Sequence, residues 1–415
     1  MILNGRRIEE RGEIDQAGGA CWLDRHLRLS GFDPICIDGH DPAAFAWAIL
    51  EAEERLKRFT SVPGRTYPAP LPYVIAKAVK GVGFPGAGTN RAHNLPLGGI
   101  PRADEDARQT FNTAVAALFI PPAELEAALG TLQTHALQKR SLESGHPLAV
   151  SRPSWPQLPV PAWSNQPTSP MEALDAWFVD LVDANPHLRP RIGNPHELLS
   201  NHMGRTLERL RHRVNSSKAG SPEAVGGAVI TALSEEATCG AALGNKGGLN
   251  LIVSYDAFAM KMLGGLRQEF IFARRQREAG FQPGWIAVPL IVTSHTWENL
   301  KNQQSHQNPG IAETLLGEMS DTARVLFPID ANSAVTALRN VYARRGQIGC
   351  VITPKRALPS LLDGAEAVAF ARDGAIVLAG DIVTAELQLV AIGAYQAAEA
   401  LKAYHRLDAR GGVAA

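Results

Sequence analysis

Apolar residues gather in short continuous runs separated by amphipathic stretches, the pattern of buried parallel strands alternating with covering helices. The chain opens on one such run, "MILNG". After "DGHDP" the period changes. Asp41 can cap a helix, Pro42 suits its first position, and Phe45, Ile49, Ala52, Leu56 and Phe59 recur on one face. "LPYVIAKAV" (71–79) reads as a buried strand. Residues 80–100, "KGVGFPGAGTNRAHNLPLGGI", read as a glycine-rich loop carrying Lys80, Arg91 and His93. Helices are expected over 105–117 and 121–138. Seven prolines between 147 and 170 forbid regular structure there, so the stretch reads as an inter-domain linker.

Past the linker, strand patterns at 225–233, 285–293 and 348–353 alternate with helical ones at 255–279 and 332–344, the last with Val335, Leu338 and Tyr342 inward. A strand at 375–381 and a helix at 384–404 follow. Alternation of this kind predicts an α/β fold, a mostly parallel sheet with helices on both faces. One strand and one helix cannot cover both faces of a sheet, and "MILNG" has nothing before it, so the first and last domains are expected to be incomplete.

Composition narrows the possibilities. A chain of 415 residues with 45% apolar content can bury two or three cores, because single cores stop growing near about 250 to 300 residues. Its 41 basic and 41 acidic residues cancel, so no global field draws it to nucleic acid or to an anionic membrane. Any phosphate it binds needs a local site. The 285–293 run contains Pro289 and falls far short of the roughly 20 residues needed to span a bilayer. Cys21, Cys36, Cys239 and Cys350 lack CxxC spacing, which argues against a zinc ribbon or disulfide framework and suits a reducing cytoplasm.

The candidate chemistry sits where strands end. "TSHTWENLKNQQSHQNPG" (293–310) follows the apolar "WIAVPLIV", and in an open α/β sheet ligands bind beyond the strand carboxyl ends. Within it His306 can move a proton near neutral pH, and Lys301 and Asn302 can hold phosphate or hydroxyl oxygens. Glu235 in "ALSEEATCG" also ends an apolar run, where a desolvated carboxylate can share a proton with a ligand nitrogen. The alternative is an ordinary first-turn helix acid. Lys355 in "ITPKR" ends another strand and can meet a phosphate or simply be solvated. "GVGFPGAG" lacks the strand–GxGxxG–helix frame of a dinucleotide site, which leaves His93 and Lys80 equally open.

The joint order of these pieces is more specific. "MILNGRRI", "GFDPICIDGHDP", "NRAHNLPL", "ELLSN", "LSEE", "SYDAF", "TSHTW...SHQNPG", "FPIDAN" and "AGD" resemble, in the same order, segments of the phosphoketolases, thiamine-diphosphate-dependent enzymes of the transketolase superfamily. The resemblance runs from about residue 1 to 404. It implies a thiamine-diphosphate-binding α/β fold divided into the C-terminal part of a diphosphate-binding domain (1–142), the proline-rich linker (143–170), a pyrimidine-binding domain (171–360) and the start of a C-terminal domain (361–415). It implies thiamine diphosphate and Mg²⁺ as cofactors. The implied reaction is cleavage of xylulose 5-phosphate or fructose 6-phosphate by inorganic phosphate to acetyl phosphate and an aldose phosphate.

Carried over residue by residue, the resemblance makes Glu235 the partner of the cofactor's aminopyrimidine N1′. Tyr255 is the aromatic residue beside that ring, and Glu197 an acidic neighbour. Asn4 becomes a Mg²⁺ ligand, the hard oxygen donor that this ion prefers. His93, Asn302 and His306 surround the reacting carbons, while Lys80, Ser200, Lys301 and Lys355 line the sugar-phosphate channel. The family forms its sites between subunits, so self-association is implied.

Several positions depart from the family pattern. His202 stands in place of an arginine, exchanging a permanent bidentate clamp for a titrating group. Lys301 replaces a histidine, Glu236 another histidine, and Asn308 an aspartate. Phosphoketolases also carry, ahead of the "LNG" segment, a GDG motif whose aspartate holds the metal, and they continue beyond the final helix. A complementing chain carrying the GDG half-domain is therefore expected. The alternatives are an inactive fragment or subunit retaining the fold, or a thiamine-dependent transketolase-like or epimerase enzyme.

Overall fold

The computed structural model describes residues 2–4, 7–8, 11–12, 19–62, 69–92, 97–138, 153–293, 298 and 308–409, and side chains before residue 19 fall outside that description. The chain divides into two compact units, 1–143 and 144–415.

In the first unit, strands β1 (Ile2–Asn4), β5 (Pro72–Ala78) and β4 (Asp33–Asp38) form a parallel sheet in that order, and β2 (Arg7–Ile8) pairs antiparallel with β3 (Arg11–Gly12). Helix α1 (Gly19–Leu29) precedes β4. Helix α2 (Pro42–Thr60) starts as expected, with the Asp41 carboxylate accepting from the Ala43 N–H and proline in the first turn. Its inward face matches the expected one in part, at Phe45 and Ala52. Ala44, Phe45, Ala48 and Ala52 pack on Ile35, Ile37 and Ala76, while Ile49 and Leu56 are exposed. The small residues bring the helix close to the sheet, and that rotates the larger ones outward. After β5 the chain turns through Gly81, Gly83, Gly86 and Gly88, all at positive φ, a region open to glycine without steric cost. Helices α3 (Glu105–Ala116) and α4 (Pro122–Leu137) follow, near their expected bounds.

The second unit holds an eight-stranded sheet, every pairing parallel. Its order is β12 (Ala323–Leu326), β13 (Ile348–Ile352), β11 (Val288–Thr293), β10 (Gly248–Tyr255), β6 (Arg189–Gly193), β9 (Val229–Ile230), β7 (His212–Arg213) and β8 (Glu223–Ala224). Side chains alternate across it as a pleat requires. Leu249, Leu251, Val253 and Ile291 face α5 (Pro170–Ala184) and α11 (Ala331–Tyr342), whose Phe178, Leu338 and Tyr342 complete that core. Ile252, Leu290 and Val292 face the opposite layer, with Cys239, Leu266 and Leu315. Each fully buried large apolar side chain contributes about 1.5 to 3 kcal/mol. The buried Tyr342 hydroxyl donates to the Asn250 carbonyl at 2.7 Å, so its one polar atom is satisfied.

Several expected elements change form. The 225–233 run yields only β9, because Gly226 and Gly227 precede it in a turn, and a Cβ at Gly227 would collide with the Arg211 and His212 carbonyls. The single helix expected over 255–279 is α8 (Asp256–Ala259), a short 3₁₀ turn, then α9 (Leu263–Glu278). The expected strand at 375–381 is irregular, and the final helix, α13 (Ala394–Asp408), starts ten residues late, after an unexpected α12 (Gly364–Asp373). Residues 153–165 have neither helix nor strand, yet they are pinned. The Trp177 indole donates to the Pro159 carbonyl, and Asn332 exchanges two hydrogen bonds with the Ser164 backbone.

Asp330, fully buried, caps α11. One carboxylate oxygen accepts from Ser333, and the other accepts the N–H groups of Leu361 and Leu362 at 2.9 and 2.8 Å. This single side chain ties α11 to the start of the C-terminal segment.

Candidate functional site

Because all strands of the second unit run parallel, the segments that follow them emerge along one edge. Asn194, His196 and Ser200 follow β6, Glu235 follows β9, Tyr255 ends β10, Thr293 ends β11, and Thr353 and Lys355 follow β13. Cross-ties fix this edge. The Asn194 amide donates to the Val253 carbonyl at 3.0 Å, and the Thr293 hydroxyl donates to Asn201 Oδ1 at 2.6 Å, all inside the buried layer.

Glu235 is the first residue of α7 (Glu235–Leu243), whose cap is Ser234, with its hydroxyl accepting from the Ala237 N–H. The cap sets the helix start, and the helix start puts Glu235 at the sheet edge with only 7% of its surface exposed. Close approach between β6 and α7 is possible because residue 193 is glycine, where a Cβ would run into the Thr238 carbonyl. Two side chains face the carboxylate. His196 Nε2 is 3.9 Å from Oε1, and Lys261 Nζ is 3.5 Å from Oε2.

Three rings stand together beside it. The His196 imidazole stacks on Tyr255 at 4.7 Å with 17° between planes and leans on Phe258 at 5.0 Å, while Tyr255 and Phe258 lie 6.3 Å apart. The Tyr255 hydroxyl is 2.6 Å from Ser200 Oγ, and Lys355 Nζ stands 4.9 Å from the Tyr255 ring centre, within cation–π range. Burial draws the Lys355 amine below its ordinary pKa, against the opposing pull of Glu298. Glu298 in turn accepts from the backbone N–H groups of Lys355 and Arg356 and from the Tyr395 hydroxyl. Burial also lifts the Asp256 carboxyl to about 6, an effect that the hydrogen bond from the Asn308 N–H partly offsets. Among the described residues, the buried polar atoms at this edge with no hydrogen-bond partner include Asn194 Oδ1, Ser254 Oγ and Thr353 Oγ1.

Of the residues singled out from sequence, Glu235, Tyr255, Ser200 and Lys355 therefore come together. Glu197 is exposed, and its carbonyl, not its carboxylate, accepts from Ser200 and Asn201. His93, Lys301, Asn302 and His306 lie outside the described residues. In the first unit, Asn4 ends β1 in register with Ala78 at the end of β5, so its backbone and Lys80 share the carboxyl edge of that smaller sheet. On that edge His40 bridges two neighbours, with Nδ1 3.0 Å from Asp38 and Nε2 accepting the Val79 N–H at 2.8 Å. The His40 backbone N–H, and after it the His40 imidazole, hold the Asp38 carboxyl below its ordinary pKa. Among the described residues, no three His, Cys, Asp or Glu side chains gather to hold a metal ion, and no helix is long and apolar enough to cross a membrane.

Of the departures from the family pattern, His202 is the C-terminal cap of a 3₁₀ turn at φ 57° and contacts Glu172 at 3.4 Å, while Glu236 is exposed. Sequence reading missed His196, Phe258 and Lys261. "PHE" and "FAMKM" carry no spacing that marks them, and only the broken helix after Tyr255 turns Phe258 and Lys261 toward Glu235.

Residues 172–344 match the family model described as D-xylulose 5-phosphate/D-fructose 6-phosphate phosphoketolase. A probable phosphoketolase of Schizosaccharomyces pombe is 27% identical over 406 residues, covering 91% of this chain and 48% of that protein. One from Streptomyces avermitilis is 24% identical over 371 residues, covering 80% of this chain and 46% of that protein. Among solved structures, a transketolase from Leishmania mexicana superposes with a TM-score of 0.59 at 16% identity, covering 94% of this chain and 55% of that one. A transketolase from Pichia stipitis gives 0.60 at 15%, covering 99% and 59%. The fold is the transketolase-like α/β fold, and the chain spans about half the length of the curated relatives it matches. The chain is thus similar to the phosphoketolases, and the segment that the family model matches, residues 172–344, includes Glu235, Tyr255 and Ser200.

Proposed function

We propose that this chain supplies the pyrimidine-binding half of a cytoplasmic, thiamine-diphosphate- and Mg²⁺-dependent phosphoketolase, and that a complementing chain with the GDG half-domain completes it. The substrates are xylulose 5-phosphate or fructose 6-phosphate with inorganic phosphate, and the products are acetyl phosphate and an aldose phosphate. One observation carries the reading: Glu235 is a buried carboxylate beside a cluster of flat rings at the carboxyl edge of a parallel sheet, inside the segment that the family model matches.

The residues fit the pyrimidine end of the cofactor. A planar heterocycle needs a ring to stack on and a carboxylate to hold a proton at its nitrogen, and Tyr255, Phe258 and Glu235 offer both. The protein's own imidazole stacks on that ring and stands 3.9 Å from that carboxylate, which supports reading the place as one for a flat nitrogen ring. Bound thiamine diphosphate supplies the nucleophilic carbon that protein side chains lack. Glu235 holds the proton at the ring nitrogen. Tyr255 is held in place by Ser200, and Lys355 offers a cation to an anionic substrate group. His306, His93, Asn302, Lys301 and Lys80 complete the sugar-phosphate channel, and Asn4 serves the metal, all by resemblance.

The test is complementation. Mixing the chain with a polypeptide carrying the GDG half-domain is expected to give thiamine-diphosphate-dependent acetyl phosphate formation that requires inorganic phosphate. Product formation indifferent to phosphate would point to transketolase-like transfer. A second reading, a catalytically inactive subunit that retains the fold, draws on Lys261. A cation 3.5 Å from Glu235 competes with a ring nitrogen for the carboxylate. Neither product nor cofactor binding in the mixture would select it.

A further inference from the structure

We propose that His196 is a built-in occupant of the ring site: its imidazole fills the space against Tyr255 and Glu235 that an incoming planar nitrogen heterocycle must take, and it has to turn away before such a ligand binds. The inference rests on the reading of Glu235 as the partner of a ring nitrogen. It adds a step the family reaction does not require.

The geometry is that of a bound ligand. The imidazole is flat, lies within 17° of parallel to Tyr255 at 4.7 Å, leans on Phe258 at 5.0 Å and points a ring nitrogen at Glu235. A ligand ring that hydrogen-bonds Glu235 brings its nitrogen to about 2.7 to 3.2 Å from the carboxylate. Stacked on Tyr255 at the same time, it overlaps the volume the imidazole now holds.

The turn required of His196 is one about its side-chain bonds. Its Nε2 is 3.9 Å from Glu235 Oε1, beyond hydrogen-bond length. The backbone on either side is fixed, by Asn194 bound to the Val253 carbonyl before it and by the fully buried Leu198 after it. The side chain is 22% exposed between these anchors, so rotation about its own bonds clears the site without moving the chain. An occupant of this kind lowers apparent affinity by the fraction of molecules in which the site is open. It thereby selects for ligands that stack more strongly than imidazole.

The experiment uses the full chain, with 4-aminopyrimidine and free imidazole as probes and saturation-transfer NMR as readout. His196→Ala is expected to bind both probes at least tenfold more tightly than the unmodified chain, and adding Glu235→Gln is expected to remove the 4-aminopyrimidine gain. Equal or weaker probe binding by His196→Ala overturns the proposal. Circular dichroism checks folding, and His196→Asn, smaller but still polar, repeats the comparison if the alanine variant does not fold. Thiamine diphosphate titrated into the complemented pair separates the two readings. If both probes gain but the cofactor binds neither form, the occupied slot stands and the functional reading falls. If the cofactor binds both forms equally, the functional reading stands and His196 is no occupant.

Discussion

The Tyr255 hydroxyl and Ser200 Oγ lie 2.6 Å apart and join the end of β10 to the turn after β6. The bond fixes the ring on which His196 stacks and over which Lys355 stands. Tyr255→Phe keeps the ring and loses the bond. It is expected to lower stability by about 1 kcal/mol, a fall of roughly 2 to 4 °C in a domain of this size, read by thermal melting. Tyr255→Ala removes the stacking face as well and is expected to abolish cofactor binding in the complemented assembly, measured by calorimetry.

Glu235→Gln preserves the shape of the side chain and removes the charge. In the complemented assembly it is expected to reduce acetyl phosphate formation by at least about 100-fold, in the range attributed to a positioned proton-transfer group. Turnover matching the unmodified protein would remove Glu235 from the site.

Asp256 gives the second unit a pH signature. Its folded pKa of about 6 lies above the ordinary 3.8, so the folded protein holds the proton more tightly than the unfolded chain. The resulting stabilisation is complete below about 3.8 and is lost as pH rises through about 6, a swing of roughly 3 kcal/mol. Asp256→Asn can still accept the Asn308 N–H. It is expected to melt higher than the unmodified protein at pH 8, with the difference shrinking toward pH 4. Melting curves separated by a constant offset across that range would contradict the assignment.

Gly193→Ala places a methyl group against the Thr238 carbonyl and must push β6 and α7 apart. Overpacking of this kind costs about 1 to 3 kcal/mol. Because Glu235 begins α7, ligand affinity is expected to fall as well. Paired melting and calorimetry separate the two effects.

Fold class was legible because strand runs such as "VPLIVT" and helices such as that of Val335, Leu338 and Tyr342 carry strong periodicity. That Glu235, Ser200, Tyr255 and Lys355 share one sheet edge was legible through family order and the strand-end rule. His196 and Lys261 were not, because what brings them to Glu235 is a turn after β6 and a helix broken at Ala259. The face of α2 was legible only in part: Phe45 and Ala52 pack inward as expected, but periodicity also marks the large Ile49 and Leu56, whereas close packing chose Ala44 and Ala48. The 375–381 run shows that apolar content alone does not make a strand.

Asp330 spreads its two oxygens over three backbone amides from places about thirty residues apart. Peeling residues 361–373 away would strand a carboxylate in the interior, so this stretch is expected to melt together with the large sheet as one cooperative block. Proteases would then find no early cut between them, and hydrogen exchange at Leu361 and Leu362 should be as slow as in the central strands.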